Sequence, residues 1–211
     1  MYYIYTMINQ KEELYQDIYG KLKKWIVTKK WTPGQVIEQQ QLSLSLEVEL
    51  EAISFVLKQL QEEDLLVATC GDGLMVRALS EQEISQMFDC RIALETMTVR
   101  LFTQNAPQSK IDDLRSLLIP FEKGPQNAYV FQKIDRHFHE HIAKHCGNPF
   151  LYDLFKKAKI LAFIDLMGLV RPLNHILMEH LDIVSAIHHR DEELAARRIS
   201  DYLERTRIAH L

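Results

Sequence analysis

Leu50-Glu51-Ala52-Ile53-Ser54-Phe55-Val56-Leu57-Lys58-Gln59-Leu60-Gln61-Glu62-Glu63, continuing through Asp64-Leu65-Leu66-Val67-Ala68-Thr69-Cys70-Gly71-Asp72-Gly73-Leu74-Met75-Val76, changes its hydrophobic period partway along. Ile53, Val56, Leu57 and Leu60 recur at helical spacing. Two short apolar runs follow, Leu65 to Ala68 and Leu74 to Val76, and Gly71-Asp72-Gly73 between them is a good hairpin turn. Upstream, residues 39–46 read as a short helix and Pro33-Gly34 as a turn. Residues 12–30 read as an amphipathic helix through Leu14, Ile18, Leu22, Trp25 and Ile26. Three helices followed by a two-stranded hairpin is the order of a winged helix-turn-helix, here assigned to residues 1–79.

Downstream, Ser80 and Glu83 form a capping box that opens a new helix, and no strand pattern survives beyond it. Helices are expected at about 81–104, 108–121, 126–145, 149–168, 172–190 and 192–208. The breaks between them fall at Ala106-Pro107, Gly124-Pro125, Gly147-Asn148-Pro149 and Arg171-Pro172. Asn148 can cap the helix that Pro149 begins. The fold class is therefore mainly α: an N-terminal winged helix-turn-helix and a C-terminal all-α bundle over residues 80–211.

With 211 residues, 47% of them hydrophobic, the chain can build one large or two small cores. A net charge of −4 does not mark a nucleic-acid binder. Cys70, Cys90 and Cys146 are widely spaced and odd in number, which argues against a disulfide framework and for a reducing cytoplasm. The apolar N-terminus lacks the basic start and small-residue cleavage site of a signal peptide. No apolar run approaches the ~20 residues of a membrane span. Neither HExxH, a phosphate loop nor GxSxG is present, so an enzyme reading has little to stand on.

Asp135 and His139 lie four residues apart, on one flank of a helix beside the inward face formed by Phe131, Ile134, Phe138 and Ile142. His180 sits within a second inward face, with Ile176, Val184 and Ile187, and Tyr202 falls inward on the last helix. Carboxylate and imidazole together suit a divalent transition metal. A hydrogen-bonded Asp135–His139 or Asp135–His180 pair would equally satisfy a buried carboxylate. Arg91 is either a clamp for an effector carboxylate or an i, i+4 partner of Glu95. His137 and His141 are read as turned from the core, His175 as surface or pocket rim, and Cys90 and Cys146 as small packing residues.

The layout resembles the GntR family of bacterial transcription regulators, in its FadR-like branch with an all-helical FCD domain. The N-terminal resemblance lies in Ile18-Tyr19-Gly20-Lys21-Leu22, Pro33-Gly34, Leu57, Leu60, Glu63, Leu65-Leu66, Gly73 and Val76. The C-terminal resemblance lies in Arg91, Leu94-Glu95, Asp135, Phe138-His139, Gly147-Asn148-Pro149 and Glu179-His180. It implies DNA as partner, a homodimer, a small-molecule effector and a divalent metal (zinc or nickel-like) on Asp135, His139 and His180, with Arg91, Asn148 and Tyr202 as effector contacts. It implies DNA contacts from Lys21, Lys23, Lys24 and Lys58 and from the recognition segment at Glu49, Leu50, Glu51 and Ser54.

Two departures stand out. The family's recognition segment carries arginines where this chain has Leu50 and Ser54, and Glu47, Glu49 and Glu51 crowd its tip. Residues 1–80 hold eight Lys/Arg against eleven Asp/Glu, the reverse of a basic footprint. The family's fourth metal ligand, a His, is here Tyr202. The main expectation is a DNA-binding regulator whose operator affinity responds to a metabolite. The alternative is a sensor or scaffold with a degenerate DNA-binding head that acts through a protein partner.

Overall fold

The computed structural model describes residues 2–71, 73–122, 124 and 127–211. Asp72 of the expected hairpin turn and Pro125 of an expected break lie outside them. The chain divides into two compact units, Met1–Ala78 and Leu79–Leu211.

The first unit contains α1 (Tyr2–Val27), β1 (Val36–Ile37), α2 (Gln39–Leu46), α3 (Leu50–Glu62), β2 (Leu66–Ala68) and β3 (Leu74–Val76). Helix α1 buries Ile18, Leu22 and Ile26 against the apolar stripe of α3, where Ile53, Val56, Leu57 and Leu60 are fully covered. Helix α2 ends at Glu47, whose left-handed backbone (φ 55°) turns the chain toward α3. The hairpin pairs Leu66 with Val76 in antiparallel register. It also gains a third strand that periodicity does not reveal: β1 pairs with β3 through Val36 and Met75, giving the order β1-β3-β2. Gly34, at φ +80°, reaches this arrangement by donating its N–H to the Val76 carbonyl at 2.8 Å.

The second unit is all helical: α4 (Glu81–Asn105), α5 (Gln108–Ser116), a 3-10 turn (Ile119–Phe121), α6 (Ala128–Lys144), α7 (Pro149–Lys157), α8 (Ile160–Met167), α9 (Leu173–His188) and α10 (Glu192–His210). The capping box forms as read. Ser80 Oγ accepts from the Glu83 N–H at 3.2 Å, and Glu83 Oε2 accepts from the Ser80 N–H at 2.9 Å, an arrangement worth about 1 kcal/mol. Helix α10 packs along α4 and α9. The core between the helices includes Phe88, Phe102, Phe138, Ile183, Ile187, Ile199 and Leu203.

Two expected helices are shorter than their pattern. Residues 108–121 give α5 and then a 3-10 turn, since Pro120 offers no N–H to continue an α-helix. Residues 149–168 are two helices, broken at Lys159 in a left-handed conformation (φ 57°). The break lets α8, apolar on nearly all sides, turn Ile160 and Ile164 into a second small core with Phe155 and Ala143. Among the described residues, no helix is long and apolar enough to cross a membrane.

Candidate functional site

Four helices deliver buried polar side chains to one point in the second unit. Helix α6 supplies Asp135 and His139, α9 supplies His180, α10 supplies Tyr202, and α4 supplies Arg91 and Glu95. All six are buried. His180 Nε2 lies 3.1 Å from Asp135 Oδ1, and His139 Nε2 lies 3.7 Å from the same oxygen. Tyr202 donates its hydroxyl to that oxygen at 3.0 Å.

The far side of each imidazole faces an acceptor. His180 Nδ1 faces the Ile176 carbonyl at 2.8 Å and must donate to it, because a carbonyl only accepts. His139 Nδ1 abuts Glu95 Oε2, and Glu95 is held in turn by Arg91 Nε at 2.6 Å. A metal-binding histidine commonly donates its second N–H to a carbonyl or carboxylate in this way, which fixes its tautomer.

Burial opposes every charge here, and the neighbours outweigh it. Arg91 and His139 hold the Glu95 carboxyl at about 2 despite burial. His139 and His180 hold Asp135 well below the usual carboxylate range despite burial. Glu95 and Asp135 overcome burial to raise His139 to about 9. Burial pushes the Tyr202 phenol well above its ordinary value, so it keeps its proton and donates. Protonated His139 with Arg91, set against Glu95 and Asp135, makes a self-neutralising buried group.

The donor set also fits a divalent transition ion. One atom each from Asp135, His139 and His180 lies within 4.8 Å of the others. The Nε2 atoms of both histidines are within ion-pair range of Asp135, yet His180 Nε2 and both ring nitrogens of His139 make no hydrogen bond. His180 Nδ1 is committed to the Ile176 carbonyl and His139 Nδ1 lies beside Glu95, so once His139 gives up its proton two Nε2 atoms and one carboxylate oxygen are the donor set a metal requires.

A small cavity adjoins the cluster, lined by Arg91, Asp135, Arg171, Tyr202 and Thr206 among others. Arg171 is already gripped by both Glu179 oxygens at 2.7 and 2.8 Å. Arg91 Nη2 is buried without a hydrogen-bond partner. The i, i+4 pairing of Arg91 with Glu95 forms through its Nε.

Several expected residues stand differently. Asn148 caps α7 as expected, its side chain accepting from the Leu151 N–H at 3.1 Å, but it does not line the cavity with Arg91 and Tyr202. His141 is buried, because its Nε2 bonds to the Lys110 carbonyl at 2.9 Å across the bundle. His137 is exposed, as expected. Cys146 packs in the core, whereas Cys90 is exposed on the outer face of α4. Arg171 is a cavity residue that the sequence reading missed; the proline break beside it hid it. Glu95 entered only as a partner for Arg91, although its helical spacing marked it as inward.

In the first unit, α3 presents Leu50, Glu51, Ser54, Phe55 and Lys58 to solvent. Glu51 meets Lys11 at 3.2 Å, and Ser54 donates to Gln39 Oε1 at 3.0 Å. Glu49 occupies the N-cap of α3 without a side-chain capping bond. Lys23, read as a phosphate contact, is instead committed to Glu63 at 2.7 Å and to the Tyr19 hydroxyl at 2.9 Å. Lys21 and Lys24 are exposed on α1.

A family model described as bacterial regulatory proteins, gntR family, matches residues 14–76, and one described as FCD domain matches residues 86–205. The chain is 26% identical over 196 residues to the HTH-type transcriptional regulator YdhC of Bacillus subtilis (strain 168), covering 88% of this chain and 85% of that one. A putative GntR regulator from Rhodococcus sp. RHA1 superposes with a TM-score of 0.72 at 18% identity, over 94% of this chain and 97% of that one. The metal-free FCD domain of TM0439 gives 0.56 at 21% identity, over 63% and 94%. At these identities the structural likeness speaks for the fold alone.

Proposed function

Because the chain belongs to the GntR family of bacterial regulatory proteins and carries an FCD domain, we propose that a small anionic metabolite, bound beside a divalent transition metal in the helical domain, sets its affinity for an operator. The chain is a transcriptional regulator of the GntR/FCD type, and its relatives are regulators rather than enzymes. In this reading Asp135, His139 and His180 hold the metal, and the protein works as a homodimer that places two winged-helix heads on paired half-sites.

The observation that carries it is the pair of imidazoles whose Nδ1 atoms face the Ile176 carbonyl and Glu95 and whose Nε2 atoms lie beside Asp135. The metal would supply a Lewis-acid anchor for a ligand oxygen. The chain's own residues do the rest. Glu95 and the Ile176 carbonyl orient the histidines, Tyr202 holds Asp135 by a hydrogen bond, and Arg91 Nη2 offers a charged donor toward the cavity. A ligand there changes DNA affinity only by as much as its affinity differs between the two states of the dimer.

Metal content by elemental analysis, after zinc or nickel loading and desalting, tests the site. The wild type should retain about one ion per chain by the three-ligand reading, and the His139→Ala/His180→Ala double variant none. Equal retention by both proteins would remove these residues as ligands.

A second reading has its own observation. Leu44, Leu50 and Phe55 are 80%, 42% and 54% exposed on the α2–α3 face, beside Glu47, Glu49 and Glu51. That combination suits a protein partner, with a DNA-binding head that no longer reads an operator.

A further inference from the structure

Helix α3 presents an unusual chemistry on the face that a winged helix lays in the major groove. Its N-terminal turn carries Leu50 and Glu51, and its next turn Ser54 and Phe55. There is no arginine on that face, so the bidentate contact to guanine O6 and N7 is unavailable. What remains matches the other side of the base-pair code. A carboxylate accepts from the cytosine N4 amino group, and apolar side chains contact the thymine 5-methyl group.

The side chains are poised for this. Glu51 is largely exposed and its contact to Lys11 is a solvent-exposed pair, which costs little to open. Phe55 is half exposed, yet its ring is stacked on Tyr15 with centroids 4.8 Å apart and planes at 28°. Tyr15 lies on α1, so Phe55 is fixed before any ligand arrives and loses little rotamer freedom on binding. Lys11 at one flank and Lys58 farther along α3 supply cations beside this face. They can meet phosphates without adding sequence information.

We propose that this recognition helix reads the pyrimidine edges of its operator: Glu51 accepts from a cytosine amino group, and Leu50 and Phe55 contact thymine methyl groups. This rests on the reading of the chain as a DNA binder and specifies which bases it reads.

The test is binding-site selection from a random duplex pool with the full-length protein, followed by affinity measurements on the recovered site. The wild type should recover a palindrome with a cytosine and at least one thymine at fixed positions in each half-site. Glu51→Gln should switch the cytosine position to adenine, since a carboxamide pairs with adenine N6 and N7, by about tenfold or more in relative affinity. Replacing the contacted thymine by deoxyuracil removes only the methyl group. It should weaken wild-type binding by about fourfold, the worth of one buried methyl-sized group, and should not weaken Phe55→Ala or Leu50→Ala further, whichever of the two meets that base. A palindrome whose base preferences survive Glu51→Gln, and which tolerates deoxyuracil throughout, overturns the base assignment while leaving DNA binding intact. Failure of the folded wild type to enrich any sequence at low salt overturns the DNA-binding reading and this inference with it. Circular dichroism of each variant confirms that the exposed substitutions leave the fold in place.

Discussion

Tyr202 on α10 donates to Asp135 Oδ1 on α6 at 3.0 Å, the same oxygen that both histidines approach. A phenol that keeps its proton serves Asp135 as a donor, so in the proposed metal site the ligands are Asp135, His139 and His180. Tyr202→His should supply a fourth ligand and raise zinc affinity by at least about tenfold, measured by competition with a chromogenic chelator. Tyr202→Phe should leave a buried carboxylate one donor short and lower metal-free stability by about 1–3 kcal/mol. Unchanged zinc affinity in Tyr202→His would place the metal elsewhere.

The metal-free protein should lose stability as pH rises. His139 is raised from its ordinary value near 6.5 to about 9. Its contribution is therefore full below about 6.5 and lost as pH climbs through 9. Glu95 is depressed to about 2, so its contribution is present above about 4.5 and lost as pH falls toward 2. Urea titrations of metal-stripped protein should show maximal stability between those limits. A midpoint that stays level from pH 6 to 9 would contradict the buried imidazolium.

Arg91 cannot be removed without consequence, because Glu95 would remain buried with only His139 beside it. Arg91→Ala should cost about 3–5 kcal/mol. Arg91→Lys keeps the charge and loses the planar fork. It should fold and yet bind small carboxylates at least about tenfold more weakly, as read by calorimetry. Equal affinity in Arg91→Lys would assign Arg91 to Glu95 alone.

The lysines of the first unit should separate by role. Lys58→Gln should reduce the slope of log affinity against log salt by about one per operator-bound chain. Lys23→Gln should leave that slope unchanged and lower stability, since Lys23 is held by Glu63 and Tyr19. The opposite pattern would place Lys23 on the phosphate backbone.

The winged helix was legible because the helical period gives way to two short apolar runs after Leu60, and because Gly71 and Gly73 mark the turn. Strand β1 was not, since two residues carry no period and its pairing depends on β3. The break at Lys159 was also hidden: nothing in Lys156-Lys157-Ala158-Lys159 stops a helix, and the gain comes from burying α8. The convergence of Asp135, His139, His180 and Tyr202 followed from wheel positions. The roles of Glu95 and Arg171 did not, because they depend on which side chains meet across helices. His141 looked solvent-facing on its own helix and is covered because the Lys110 carbonyl and the Phe102 ring come to it from other helices.

The most direct measurement is capture of host genomic fragments by the purified full-length protein at low salt, before and after zinc loading. Enrichment of one palindromic sequence, with an affinity that changes on zinc loading, is the predicted result. No enrichment in either state, from a sample shown to be folded and dimeric, would contradict a metal-linked operator binder and favour a head that meets a protein instead.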